Sequence, residues 1–114
     1  MTAKRIRRIS RIQEQKLAKI VGGRVQPGSG AVPGYKGDVR LRGRFRIEAK
    51  FTTKKSYTLK LQDLLKIQSE CNSSERPVFV VEFKEEESLR SVCSWVIIPQ
   101  RDWEKLIAKT TEDQ

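Results

Sequence analysis

The sequence predicts a single α/β domain in which a mixed β-sheet packs against helices. Three observations predict this class. Apolar and charged residues alternate over residues 38–51, which is the period of a half-buried hairpin. Two later runs, PVFVVEF and VCSWVII, have the length and apolar character of strands, and the first is predicted to be buried. Helical spacing of apolar residues before, between and after these strands gives an approximate order of α-β-β-α-β-β-α.

The first helix is predicted over about residues 11–20, with Ser10 as its N-cap. Residues 1–9 are basic and are predicted to form a mobile N-terminal arm, which leaves residues 10–114 as the domain. Residues 22–37 contain six of the seven glycines and two of the four prolines. That composition predicts a loop without a regular element.

The hairpin over residues 38–51 is predicted to turn at Gly43. If its strands pair around that glycine, Asp38 lies opposite Glu48, and opposed residues project to the same face of a sheet. Lys50, two residues farther along, projects to that face as well because side chains alternate. The register therefore predicts two acids and one lysine side by side.

The second half of the chain is predicted to continue as helix, strand, strand and helix. Thr58 can cap the helix, an acidic turn separates the two strands, and Pro99 opens the last helix. The predicted elements span residues 59–70, 77–83, 92–98 and 99–109.

The charge of the chain is strongly basic and unevenly distributed. The net charge is +10; residues 1–60 hold 17 Lys/Arg and 3 acids, whereas residues 61–114 hold 7 Lys/Arg and 11 acids. A polyanion such as DNA or RNA is the partner that a basic half favours, because neutralised phosphates release counterions. The absence of histidine excludes nucleases that use a histidine base and almost every His-rich zinc site.

Cysteine usage and hydropathy predict a cytoplasmic protein, in the host cytoplasm if the chain is phage-encoded. Cys71 and Cys93 form no CxxC pair and are predicted to be two buried, reduced thiols. No apolar run reaches the roughly 20 residues of a membrane span, so we expect no membrane partner.

Asp38, Glu48 and Lys50 suggest a metal site that cuts a phosphodiester. The repulsion between two carboxylates on one face needs a cation, and Mg²⁺ or Mn²⁺ prefers such oxygen ligands. A bound metal polarises a phosphoryl oxygen and acidifies its water, which Lys50 is placed to orient. Glu14, the only acid before Asp38, is the candidate third ligand.

A plainer alternative is that these three residues form cross-strand ion pairs on an exposed sheet. Their spacing arises easily by chance in a chain of which 33% of residues are charged. The glycine-rich loop directly before Asp38 and the basic surroundings favour the metal site.

These motifs resemble those of the PD-(D/E)xK nuclease superfamily, and within it the Holliday-junction resolvases of archaea, bacteria and phages. The matching residues are Glu14 on the first helix, KGDV around Asp38, and IEAK around Glu48 and Lys50. Gly37 precedes the aspartate where the superfamily motif has proline, a departure that is common in the resolvase branch.

The resemblance implies a restriction-endonuclease-like fold and a homodimer that nicks two strands of a four-way DNA junction symmetrically, in recombination and repair. Mg²⁺ is the implied cofactor, with Mn²⁺ as a substitute and no small-molecule substrate. The implied ligands are Glu14, Asp38 and Glu48, and with Lys50 they form the implied catalytic set.

Further residues are candidates for contacts with DNA. The resemblance implies that Ser29 touches the scissile phosphate and that Gln62 lies near the metal-bound water; the plain alternatives are a small loop residue and an exposed helix residue. Tyr35 and Lys36 flank the site, and Tyr35 either stacks on a nucleotide or packs the loop. The arginines of the N-terminus and the hairpin are predicted to contact phosphates, namely Arg5, Arg7, Arg8, Arg11, Arg40, Arg42, Arg44 and Arg46.

Three functions follow from these observations. The first is a junction-resolving endonuclease, the second is another PD-(D/E)xK nicking or repair endonuclease, and the third is a non-catalytic basic nucleic-acid-binding protein. Trp95, Trp103 and residues 78–81 are candidates for the core or for a dimer interface, on hydrophobicity alone.

Overall fold

The computed structural model describes residues 1–26 and 38–112, without the side chains of Asp38 and Glu112. These residues form three helices and five strands, which confirms the predicted α/β class with a mixed sheet. The elements are α1 (Ala3–Val21), β1 (Arg24–Val25), β2 (Asp38–Leu41), β3 (Phe45–Thr52), α2 (Leu61–Glu70), β4 (Arg76–Lys84), β5 (Ser91–Ile97) and α3 (Gln100–Glu112).

The strands lie in the order of the chain, β1-β2-β3-β4-β5. Neighbours are antiparallel except β3 and β4, which are parallel and are connected through α2. A parallel pair needs such a crossover, because a tight turn joins only antiparallel strands. Strands β1 and β5 are therefore the two edges of the sheet.

The first helix is longer than predicted, because it begins at Ala3 and not near residue 11. The hydroxyl of Thr2, not Ser10, caps it by accepting a hydrogen bond from the Arg5 amide at 3.2 Å. Ile9 lies on the buried side of the helix, so the helical spacing extends through the basic segment. The predicted mobility of residues 1–9 stays a prediction.

A short strand lies in the segment that was predicted to lack any regular element. Residues Arg24 and Val25 of β1 pair with Arg40 and Val39 of β2. A strand of two residues after a glycine pair carries too little pattern to be recognised in a sequence. The second helix also differs, since α2 begins at Leu61 and Thr58 does not cap it.

Gly23 permits β1 to lie close to β2. A Cβ atom at this position would lie 2.7 Å from the Arg40 carbonyl oxygen. We therefore expect Gly23→Ala to lower the free energy of unfolding by about 1–3 kcal/mol, because the two backbones must separate. Urea denaturation measures this, with Arg24→Ala, an exposed neighbour, as the control. Equal stability of the two variants would contradict the close approach.

The core lies between α1 and one face of the sheet. Ala18 of α1 packs against Val39, Ile47 and Val80, which are buried. Phe79 and Val81 alternate with Val80 and therefore lie on the other face, which α2 covers with its buried Ile67. Residues 79–81 thus belong to the core rather than to an interface.

The two cysteines differ from their prediction. Cys71 and Cys93 are both free thiols, but Cys71 is only half-buried and Cys93 is exposed on the edge strand. The prediction of two buried thiols is therefore wrong. Among the described residues, no helix is long and apolar enough to cross a membrane.

Candidate active site

The hairpin has the predicted register. Asp38 is the cross-strand partner of Glu48, and Val39 is the partner of Ile47. Gly43 sits in the turn with a φ of 79°, a left-handed conformation that favours glycine. The backbone of Asp38 is therefore beside that of Glu48, while the side chain of Asp38 is outside the described part of the structure.

Glu48 and Lys50 lie together on one face of β3. The Lys50 Nζ atom is 3.3 Å from Glu48 Oε1. The Glu48 residue is only 8% exposed, whereas 39% of the Lys50 side chain is exposed. The pair thus combines a sequestered carboxylate with an ammonium that solvent or a ligand can reach.

Glu14 comes to this pair from the first helix. It is 4% exposed, and its pKa is raised above the usual value, first by burial and then by the negative charge of Glu48. Arg11 and Lys50 act in the opposite direction. Glu14 therefore lies within electrostatic range of Glu48 and Lys50, although α1 and β3 are far apart in the sequence.

Gln13 fixes the approach of α1 to this site, and the sequence analysis missed it. Its side-chain Nε2 donates a hydrogen bond to the Lys50 backbone oxygen at 2.8 Å. Its Oε1 is buried and has no hydrogen-bond partner within the described residues. Gln13 is only 6% exposed. Its position directly before Glu14, the single early acid, is the one signal that the sequence offered.

Tyr57 is a second neighbour of the site that the sequence analysis missed. Its ring packs against Phe79, with the centroids 6.3 Å apart. Burial raises the pKa of the Tyr57 phenol, and the positive charge of Lys50 opposes that change. No feature of the local sequence distinguishes this tyrosine from a solvent-exposed loop residue.

The donors at the site are of the type that binds a hard divalent cation. Glu14 and Glu48 supply carboxylate oxygens, and their mutual repulsion is the condition that a cation relieves. Among the side chains that the structure describes, no cluster of three His, Cys, Asp or Glu residues could hold a metal ion. The carboxylate of Asp38 is not among those side chains, and its backbone position is opposite Glu48.

The hairpin arginines divide into two groups. Arg40 donates from Nε to Glu75 at 2.6 Å, and Arg46 faces Glu70 of α2 at 3.8 Å. Arg40 and Arg46 thus have acidic neighbours within the protein, and their contact with DNA stays a prediction. Arg42 and Arg44, at the turn, are exposed.

The other predicted contacts with DNA are placed as follows. Gln62 is exposed on α2, and four arginines are exposed along α1, namely Arg5, Arg7, Arg8 and Arg11. Ser29, Tyr35 and Lys36 lie outside the described residues. A cleft between the end of α1 and strand β2 is lined by Gly22, Gly23, Arg24, Gln26, Arg40, Leu41 and Arg42. Its basic lining suits a phosphate group.

We expect the double variant Arg42→Ala/Arg44→Ala to weaken binding to DNA and to lower its salt dependence. If both side chains contact phosphates, the slope of log K against log salt falls by about 2. Fluorescence anisotropy at several salt concentrations measures this slope. Arg90→Ala, an exposed arginine beyond the acidic turn, is the control. An unchanged slope in the double variant would remove the turn from the DNA-binding surface.

Comparison with protein-family models, curated proteins and solved structures found no significant match to this chain.

Proposed function

We propose that this protein is a metal-dependent endonuclease of the PD-(D/E)xK type that cuts four-way DNA junctions by paired phosphodiester hydrolysis. The observation that carries the proposal is the pairing of Asp38 with Glu48, with the Lys50 ammonium 3.3 Å from the Glu48 carboxylate. The burial of Glu14 and its electrostatic coupling to this pair support it.

The order of elements also supports a restriction-endonuclease-like fold. A helix carrying the first acid precedes an antiparallel pair that carries the second acid and the Glu-x-Lys motif. A crossover helix then leads to a parallel strand beside the Glu-x-Lys strand. This is the arrangement that the resemblance to the superfamily implies.

Each residue of the proposed site has a distinct task. Glu14, Asp38 and Glu48 would hold Mg²⁺, or Mn²⁺ in its place. When bound, the metal supplies Lewis acidity at a phosphoryl oxygen and a water of lowered pKa. Lys50 orients the attacking water and stabilises the charge that develops on the phosphorus oxygens. Gln13 holds the Lys50 backbone at its carbonyl oxygen and so keeps α1 against the site.

The basic surface accounts for the binding of DNA. Arg42 and Arg44 at the turn and the exposed arginines of α1 provide sequence-independent contacts with phosphates. A non-catalytic nucleic-acid-binding protein is the second candidate, because a net charge of +10 supports binding without any chemistry. The buried position of Glu14 and Glu48 favours the enzyme, since a purely electrostatic binder gains nothing from sequestered acids.

One experiment distinguishes these functions. The protein is incubated with a labelled four-way junction, a duplex and a single strand, each with Mg²⁺ and with EDTA. Metal-dependent paired nicks in the junction alone support the proposal. Cutting of the plain duplex supports another PD-(D/E)xK endonuclease, and tight binding without cutting supports the non-catalytic protein.

A further inference from the structure

Tyr57 is the one sheltered residue in an exposed connection. Residues 54–56 and 58–60 are exposed, whereas Tyr57 between them is half-buried. The connection leads from the end of β3 to the start of α2. Because an aromatic ring buries much apolar area when it packs, this side chain anchors the connection to the body of the molecule. Tyr57 thus occupies a defined place although it belongs to neither a helix nor a strand.

The ring of Tyr57 lies on the face of the sheet that carries Glu48 and Lys50. It packs against Phe79 of β4, with the ring centroids 6.3 Å apart and the ring planes inclined by 47°. Phe79 is the register partner of Glu48 on the neighbouring strand. Register partners project to the same face, and neighbouring strands are about 4.8 Å apart. Tyr57 therefore lies on a residue that is directly beside Glu48.

The hydroxyl of Tyr57 lies within electrostatic range of the charges at this site. Burial raises the pKa of the phenol, and the positive charge of Lys50 lowers it. The negative charges of Asp63, in the first turn of α2, and of Glu48 raise the pKa further. Among these charges that of Lys50 has the largest effect. The hydroxyl is therefore a neighbour of the ammonium as well as of the carboxylate.

Two hydrogen-bond donors at this place lack an acceptor. Within the part of the chain that the structure describes, the Tyr57 hydroxyl makes no hydrogen bond. The Lys50 ammonium can donate three hydrogen bonds and accepts none, and Glu48 Oε1 at 3.3 Å is its one acidic neighbour there. The Lys50 side chain is 39% exposed, so a ligand can reach it. A ligand with several acceptor oxygens would satisfy both donors at once.

We propose that the Tyr57 hydroxyl donates a hydrogen bond to a non-bridging oxygen of the same DNA phosphate that Lys50 contacts. A phosphodiester presents two such oxygens, which accept from an ammonium and a hydroxyl together. The neutral phenol adds a donor without adding a positive charge, which would repel a cation held by Glu14, Asp38 and Glu48. The identity of the ligand rests on the proposed function, whereas the place of the hydroxyl rests on its contact with Phe79.

Tyr57→Phe is the variant that tests this contact, because it keeps the ring on Phe79 and removes only the hydroxyl. Single-turnover cleavage of a four-way junction should slow at least about tenfold, since a donor to the reacting phosphate is lost. The affinities for the junction and for Mn²⁺ should stay within about threefold, because the arginines and the carboxylates supply them. Thr58→Val, which removes the next hydroxyl at an exposed position, is the matched control and should cleave normally. Urea denaturation should show equal stability of both variants.

A second measurement detects the contact without any cleavage. Carbon-13 NMR of a chain labelled at the tyrosine Cζ atoms gives a single signal for Tyr57 once Tyr35→Phe removes the only other tyrosine. Saturation with a four-way junction in EDTA should shift this signal, because the Cζ frequency responds to hydrogen bonding of the hydroxyl.

The outcomes separate this inference from the proposed function. An unmoved signal, full cleavage by Tyr57→Phe, or a slowing of Thr58→Val as large as that of Tyr57→Phe would overturn the inference alone. A loss of stability in Tyr57→Phe that accounts for its slower cleavage would also overturn it, because the hydroxyl would then be structural. A shifted signal in a chain that never cuts with Mg²⁺ would contradict the proposed function alone. A chain that does not bind the junction would contradict both.

Discussion

Glu48→Gln is expected to reduce metal-dependent cleavage of a four-way junction by on the order of 10³-fold, since several kcal/mol of charge stabilisation are lost with a metal ligand. The substitution preserves the shape of the side chain, so the buried position of Glu48 stays filled. Binding to the junction should stay within about threefold of the unmodified protein, because phosphate contacts depend on the arginines. Single-turnover cleavage and anisotropy measure the two quantities.

The chain supplies a matched control for this prediction. Glu82 and Lys84 repeat the Glu-x-Lys spacing on β4, and their charged atoms are also 3.3 Å apart. Glu82→Gln should leave cleavage unchanged, because this pair is not opposite an aspartate. A similar loss in both variants would mean that the effect comes from stability, and full activity of Glu48→Gln would exclude Glu48 as a ligand.

Glu75→Ala should lower the free energy of unfolding by about 3 kcal/mol, because it removes the buried carboxylate from its ion pair with Arg40. The Glu75 side chain is fully buried. It accepts hydrogen bonds from Arg40 Nε at 2.6 Å, from Arg40 Nη2 at 3.3 Å and from the Asn72 amide at 3.1 Å. Urea denaturation measures the loss, with Glu86→Ala in the exposed acidic turn as the control.

The same contact predicts a dependence of stability on pH. Burial acts to raise the pKa of Glu75, but the hydrogen bonds and charge of Arg40 and the Asn72 amide outweigh it, and the net result is a lowered pKa. A carboxyl whose pKa is lower in the folded state stabilises the fold above its unfolded pKa of about 4.5. This contribution is lost as the pH falls through the lower folded value. Glu75→Gln should make the free energy of unfolding less dependent on pH in that range. If the variant lost stability at low pH as steeply as the unmodified protein, Glu75 would not be the source of this pH dependence.

The hairpin is the part of the site that was predictable from the sequence. Alternation over residues 38–51 and the glycine at position 43 define the faces and the turn, so the pairing of Asp38 with Glu48 is correct. The alternation of apolar and charged residues and the residue type at the turn are local properties, so both can be read from neighbouring residues. Strand β1 was missed because two residues contain no period.

The contacts between distant segments were not predictable. Glu14 comes within electrostatic range of Glu48 through the packing of α1 on β3, and Arg40 meets Glu75 because the turn after α2 returns to the hairpin. Neither contact can be predicted from the spacing of residues along the chain. The exposure of Trp95 and Trp103 was not predictable either. An apolar strand or an apolar helix stripe has the same sequence pattern in a core and on an uncovered surface.

The binding of Mn²⁺ in the absence of DNA tests the central claim most directly, because it depends on the carboxylates alone. Electron paramagnetic resonance should show that the unmodified protein binds Mn²⁺ and that Glu82→Gln binds it equally. Glu48→Gln and Glu14→Gln should each weaken binding by at least about tenfold. Equal affinity of all four proteins for Mn²⁺, or no binding by any of them, would contradict a shared carboxylate site.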